Sequence, residues 1–312
     1  MRRPRVGITL GDPRGIGAEV VAKALAVPDV AASASFVPIG AEGALPGWEV
    51  RAVGCWAGGS AAEAGRLAGL AIEEATRMAM AGELDAIVTA PIDKAALRAA
   101  GWSYPGHTEM LQALSGAPAV GMMMAAEQTA LGAPLRVVLA TTHLALRDVP
   151  HALTADLLVE QTALTARALR EWWEIPAPRL ALCAFNPHAS DGGLFGDEEA
   201  RIYRPALERL AAAGIDARGP LPADTVFSRA LGGEFDAVIA PYHDVGMAAF
   251  KTVAFGQGVN VTLGLPFPRT SPDHGTALDI AGQGLADPGS TIEAIRIAVR
   301  LASRFDTRAE RR

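Results

Sequence analysis

Short apolar runs alternate with stretches of helical periodicity along the whole chain. Six runs read as buried strands: Val6–Leu10, Ala86–Thr89, Arg136–Thr141, Leu180–Ala184, Ala237–Ala240 and Val259–Leu263. They are apolar or β-branched on both faces and lead into turn residues, as strands of a mostly parallel sheet do. Helices are predicted between them. Ser60 with Glu63, and Ser290 with Glu293, have capping-box spacing. Thr154 is expected to cap a helix ending near Trp172 and Trp173. Another helix should run from about Glu198 to Ala213 and stop at Gly214. The alternation predicts an α/β fold with right-handed crossovers.

At 312 residues the chain exceeds what one core usually organises, so two lobes are expected. Half the residues are hydrophobic and a fifth are charged, as in a soluble globular enzyme. The net charge of −6 lacks the basic face that nucleic acid requires, whereas a phosphorylated small molecule needs only a few local cations. The Ala-rich stretch from Ala61 to Ala81 is broken by Glu63, Arg66, Glu73, Glu74 and Arg77, so it reads as a soluble helix and no membrane association is expected. Cys55 and Cys183 have neither disulfide-framework nor zinc-knuckle spacing. Reduced thiols, with a basic start that runs straight into a short strand, predict a cytoplasmic protein without a signal peptide. The charged tail from about Arg308 to Arg312 is expected to fray.

The candidate chemistry lies in the histidines. Five of the six sit in short segments dense in Gly, Pro, Asp, Asn and Thr: His107, His143, His188, His243 and His274. His143, His188 and His243 each follow a strand candidate by a few residues. Strand ends form the ligand crevice of open α/β sheets. Three imidazoles can hold a divalent metal and leave positions open for substrate oxygens. The bland alternative is three histidines that hydrogen-bond loop backbone. Asp244 and Asp224 can orient an imidazole or accept a proton.

Other segments are weaker alone. Gly11-Asp12-Pro13-Arg14-Gly15-Ile16-Gly17 follows a strand and opens a helix, a place where glycines permit close approach to a ligand. It is not the dinucleotide fingerprint, and a plain strand-to-helix turn explains it equally well. Lys251, Asn260 and Arg269 offer two cations and an amide, able to clamp a phosphate or carboxylate or simply to face solvent. Asp273-His274-Gly275-Thr276 is expected to lead into a helix through Leu278 and Ile280. Pro105-Gly106-His107-Thr108-Glu109 is either an anion-compatible turn or a helix cap.

Together these segments are more specific. Thr89-Ala90-Pro91, Gly106-His107-Thr108-Glu109, Thr141-Thr142-His143-Leu144, Asn186-Pro187-His188-Ala189, Gly219 through Thr225, Tyr242-His243-Asp244, Gly258 through Pro266 and Arg269 through Ala277 occur in one order. From Gly7 to about Val299 the chain resembles the 4-hydroxythreonine-4-phosphate dehydrogenase family of vitamin B6 biosynthesis. The resemblance implies a two-lobed fold similar to isocitrate and isopropylmalate dehydrogenases, not Rossmann. The implied lobes are residues 1–118 with 266–312, and 119–265, with the active site between them. It implies a homodimer that shares a metal ligand between subunits. The implied ligands are His143, His188 and His243, holding one divalent ion, Zn, Mg, Mn or Co. The implied substrate contacts are His107, Thr108, Lys251, Asn260 and Arg269.

The implied reaction is oxidation of the 3-hydroxyl of 4-phosphooxy-L-threonine by NAD or NADP, with loss of carbon dioxide to give 3-amino-2-oxopropyl phosphate. Related branches act on 4-phospho-threonate, 4-phospho-erythronate or a dihydrodiol dicarboxylate. Asp93 and Val245 depart from the biosynthetic pattern, and the region from Ser33 to Ser60 is short, so the machinery is better supported than the substrate. Phosphotransacetylases share a similar architecture, and a phosphate-binding transferase is the alternative from another class.

Overall fold

The structure, a computed structural model, describes residues 3–304. The chain divides into two compact units, residues up to Pro118 with those from Val259 onward, and Ala119–Gly258. The first unit contains β1 (Arg5–Thr9), α1 (Gly17–Leu25), α2 (Pro28–Ser33), β2 (Ser35–Ala41), β3 (Arg51–Gly54), α3 (Ala61–Met80), β4 (Ala86–Thr89), α4 (Lys94–Ala99) and α5 (His107–Ser115). The second contains β5 (Gly121–Ala126), β6 (Leu135–Leu139), α6 (Val149–Ala152), α7 (Ala155–Glu171), β7 (Leu180–Cys183), α8 (Arg204–Ala212), β8 (Ala217–Leu221), α9 (Ala223–Leu231), β9 (Ala237–Ala240) and α10 (His243–Ala254). The chain then returns to the first unit with β10 (Val259–Leu263), β11 (Arg269–Pro272) and α11 (Gly289–Arg304).

Strands of the first unit lie in the order β3-β2-β1-β4-β11-β10, parallel except that β10 runs against β11. Those of the second lie in the order β5-β6-β9-β7-β8, parallel except that β5 runs against β6. The antiparallel pairs distinguish both from an all-parallel Rossmann sheet. Val6 and Ile8 on β1, and Val137, Val138, Val238 and Ile239 on β6 and β9, are sealed from solvent, as central strands with two covered faces require. In the second unit Phe250 of α10 packs with Leu139, Val226, Phe227 and Val238.

All six expected strands form, within two residues at each end. β2, β3, β5, β8 and β11 were not expected. β11 reads Arg-Thr-Ser-Pro, a polar run that is nevertheless buried throughout. Two caps form as the spacing predicts. Ser60 Oγ accepts from Glu63 N at 3.2 Å and Thr154 Oγ1 from Leu157 N at 3.1 Å. The Ser290 cap does not form. Ser290 lies inside α11, and its hydroxyl accepts from Asp273 N at 3.1 Å and donates to Asp273 Oδ1 at 3.2 Å. The helix expected through Leu278 and Ile280 is a run of turns. Ile280 N bonds back three residues to Ala277 and Gln283 N to Ile280, and Gly282 and Gly284 take φ of 75° and 72°, which breaks a right-handed helix.

The glycines after β1 serve the protein's own backbone. Gly11, at φ 73°, lies so close to Pro91 O that a side chain there would collide with it. Gly15 similarly leaves room for Thr276 O, which accepts from Ile16 N at 3.0 Å. Both cysteines are free, and burial pushes the Cys183 thiol up to about 12. The charged tail from Arg308 lies outside the described residues. Among the described residues, no helix is long and apolar enough to cross a membrane.

Candidate active site

In the first unit the chemistry gathers around Arg269, which is 2% exposed. Its guanidinium donates to Thr89 Oγ1 from Nε at 3.1 Å and from Nη2 at 2.6 Å, and from Nη1 to Thr262 Oγ1 at 2.9 Å. Register places all three side chains on one sheet face. Arg269 stands opposite Thr262 on β10 and beside Ile87 on β4, two residues before Thr89. No carboxylate pairs with Arg269 among the described residues, although Glu109 exerts a favourable field on it. Burial lowers its pKa to about 9, so it remains charged at neutral pH. A desolvated cation without a counter-ion is costly, and the arrangement calls for an anion from outside the chain.

His107 begins α5 beside this cation. Burial, then the charges of Arg269 and Lys94, hold its imidazole well below the usual histidine pKa, so it is neutral at pH 7. Its Nε2 is buried with no hydrogen-bond partner among the described residues. Thr108 follows in the same first turn and is half-buried. Asn260 on β10 stands opposite Ser271, and its Oδ1 is also buried and unpartnered, as is Thr9 Oγ1 on β1, which is in register with Thr89. His274 Nδ1 lies 3.1 Å from Gly275 O. Orphaned buried polar atoms are uncommon in proteins, and several in the unit that holds this cation make it a candidate ligand site.

In the second unit two histidines meet. The β6 and β9 ladder continues past its last strand pair through Ala140 N to Ala240 O at 2.8 Å and Thr141 Oγ1 to Pro241 O at 2.8 Å. The following residues bring the rings of His143 and His243 to 5.5 Å between centroids, tilted by 44°. Asp244 Oδ1 lies 2.7 Å from His243 Nδ1. A carboxylate there fixes the ring and directs Nε2 outward, the arrangement typical of a metal-ligating histidine. His143 and His243 therefore fit a metal as donors.

His188 is placed differently. It opens a turn in which His188, Ala189, Ser190, Asp191 and Gly192 all take positive φ. The turn is tied by Ser190 Oγ to Gly196 O, and its approach is held by Glu199, whose Oε1 accepts from Phe185 N at 3.0 Å and Asn186 N at 2.7 Å. Among the described residues, no three His, Cys, Asp or Glu side chains form a metal-holding cluster within one chain. Asp224 is exposed on the first turn of α9 and makes no ion pair or hydrogen bond among the described residues. Lys251 lies on α10, eight residues beyond His243.

Sequence reasoning missed Thr89 and Thr262 as site residues. Both close or precede the end of a strand, and a hydroxyl there needs a partner, but the partner is 180 residues away for Thr89. It also passed over Lys94, which stands directly after the Asp93 cap of α4. An open cleft of about 670 Å³ at β3 and α3 is lined by none of these groups, and its Arg51 and Arg77 are already paired with Glu74.

Residues 10–298 match the family described as pyridoxal phosphate biosynthetic protein PdxA. A 4-hydroxythreonine-4-phosphate dehydrogenase of Geobacter metallireducens is 42% identical over 96% of each chain. A D-threonate 4-phosphate dehydrogenase of Cupriavidus necator is also 42% identical, over 96% of this chain and 98% of its own. The crystal structure of a 4-hydroxythreonine-4-phosphate dehydrogenase from Klebsiella pneumoniae superposes with a TM-score of 0.85 at 36% identity, covering 96% of this chain and 98% of that one.

Proposed function

The chain belongs to the PdxA family of pyridoxal phosphate biosynthetic proteins, and on that premise we propose that it oxidises the 3-hydroxyl of 4-phosphooxy-L-threonine. The product, a β-keto acid, would lose carbon dioxide to give 3-amino-2-oxopropyl phosphate. The observation that carries this reading is the buried, uncompensated guanidinium of Arg269, with the unpartnered His107 Nε2 and Asn260 Oδ1 in the same unit. A phosphorylated substrate supplies the missing anion. Thr108 and Lys251 complete the proposed contacts.

His143, His188 and His243 are the proposed holders of one divalent ion, Zn, Mg, Mn or Co. Such an ion supplies Lewis acidity to the reacting oxygen. Asp244 supports the orientation of His243, and the exposed Asp224 is proposed to accept a proton. NAD or NADP is the proposed hydride acceptor, bound without a dinucleotide fingerprint. A homodimer in which a second copy contributes a ligand is part of this proposal, with His143 and His243 of one chain 5.5 Å apart between ring centroids.

The D-threonate 4-phosphate dehydrogenase at equal identity favours a second reading, oxidation of 4-phospho-threonate. Growth of NADH absorbance with a divalent metal and each of 4-phosphooxy-L-threonine, 4-phospho-threonate, 4-phospho-erythronate and the dihydrodiol dicarboxylate decides between them. The phosphothreonine should be turned over with the highest kcat/KM. Faster turnover of another substrate would move the assignment to that branch, and no NADH with any of them would remove the dehydrogenase reading.

A further inference from the structure

Two helices of the first unit begin beside His107. Asp93 caps α4, its Oδ1 accepting from Ala95 N at 2.8 Å and Ala96 N at 3.2 Å, so Lys94 is the first residue of that helix. Gly106 precedes α5, and a methyl group built on Gly106 would stand 3.5 Å from Glu109 Oε2 and 3.6 Å from Lys94 Cε. The Lys94 stem therefore runs past the start of α5. The Lys94 charge also contributes, after burial and Arg269, to the lowered pKa of His107.

Lys94 is exposed and makes no hydrogen bond or ion pair among the described residues. Its neighbouring carboxylate is committed elsewhere, since Asp93 Oδ2 accepts from Arg14 Nη2 at 2.9 Å. The first intrahelical bond of α5 is Met110 N to Gly106 O, which leaves the N–H groups of His107, Thr108 and Glu109 outside the helical ladder. Charge around His107 then decides what binds. The imidazole is neutral, and Arg269 has no hydrogen-bonded carboxylate among the described residues, only the more remote field of Glu109. Lys94 adds a second positive charge to the cluster.

The geometry points to Lys94 as a second cationic contact for the substrate phosphate, selecting a phosphomonoester dianion over a carboxylate. This inference rests on the proposed phosphorylated substrate. A carboxylate monoanion is matched by the single planar fork of Arg269, whereas the second charge of a phosphate requires another cation. A lysine on a long stem supplies it as a point charge beside the free amides of α5.

Isothermal calorimetry with inorganic phosphate, on the full chain and on Lys94→Met, Lys94→Arg and Arg269→Met, tests the assignment. Lys94→Met should weaken phosphate binding about tenfold or more, the usual worth of a charge-assisted hydrogen bond. Lys94→Arg should stay within about threefold of the parent. With the phosphorylated substrate, the loss in Lys94→Met should appear in KM, with kcat within about threefold. If Lys94→Met binds phosphate as the parent does while Arg269→Met does not, Lys94 has no such role and the proposed function stands. A parent that neither binds phosphate nor oxidises any phosphorylated substrate overturns that function, and the Lys94 assignment with it.

Discussion

Thr89 Oγ1 accepts two hydrogen bonds from the Arg269 guanidinium, at 3.1 Å from Nε and 2.6 Å from Nη2. Thr262 Oγ1 takes a third from Nη1 at 2.9 Å. One side edge of the guanidinium is thus committed to a hydroxyl, and two of its five N–H groups stay available for a ligand. Hydroxyls hold the cation in place without neutralising it, which a carboxylate would do.

Thr89→Val keeps the shape and removes the acceptor. Two N–H donors of a buried cation are then unsatisfied, a loss of about 1.5–3 kcal/mol for a hydrogen bond to a charged group. We expect a lower denaturation midpoint in urea and a KM raised about tenfold, with Thr89→Ser restoring both. A Thr89→Val enzyme that loses stability but keeps its KM would show that Thr89 only supports the fold.

The Asp244 carboxylate, 2.7 Å from His243 Nδ1, orients a metal-ligating ring in the proposed site. Asp244→Asn should reduce divalent-metal affinity about 10- to 100-fold. Titration with Zn, Mg, Mn and Co, read by calorimetry in the absence of substrate, measures this apart from turnover. Unchanged affinity for all four ions would separate Asp244 from metal binding.

The legible part of this protein was its buried strands and its histidines. Strands such as β4 and β9 are apolar on both faces, so the covered sheet is visible in the residues themselves. β11 is the opposite case. Its Arg269, Thr270 and Ser271 carry no apolar strand pattern, because the reason for burying them is long-range: Thr89, Thr262, and Ala294 O, which accepts from Thr270 Oγ1 at 2.8 Å. Ser290 carried a valid local capping signal that a distant partner, Asp273, overrode. The strand-end positions of His143 and His243 could be read from spacing, but their 5.5 Å approach depends on the β6–β9 adjacency, which joins strands about 100 residues apart. Lys94 was not among the site candidates, and the fold brings its stem to Gly106.

The neutral His107 makes stability depend on pH. Its folded-state pKa is lowered by burial, Arg269 and Lys94, with Glu109 as the carboxylate of the same cluster. The unfolded chain therefore binds a proton at higher pH than the folded one. The contribution of His107 to stability is present above the unfolded histidine pKa of about 6.5 and is lost as pH falls below it. Urea midpoints of the parent should decline from about pH 6.5 downward, more steeply than those of His107→Gln. Parallel declines in the two proteins would mean that the imidazole is protonated in the folded state too.

The turn carrying His188 has its own signature. Ala189 takes φ 57° and ψ 49°, a left-handed conformation that costs an L-residue about 1–2 kcal/mol and glycine almost nothing. Ala189→Gly should therefore keep or raise stability, offset in part by the freer unfolded chain. Ala189→Val should lower it by about 1–2 kcal/mol, because a β-branched residue tolerates positive φ poorly. In a right-handed helical turn the order would invert, with glycine the worse of the two. Thermal or urea unfolding of the two variants reads the order directly, and a less stable glycine variant would contradict the left-handed turn and the placement of His188 that depends on it.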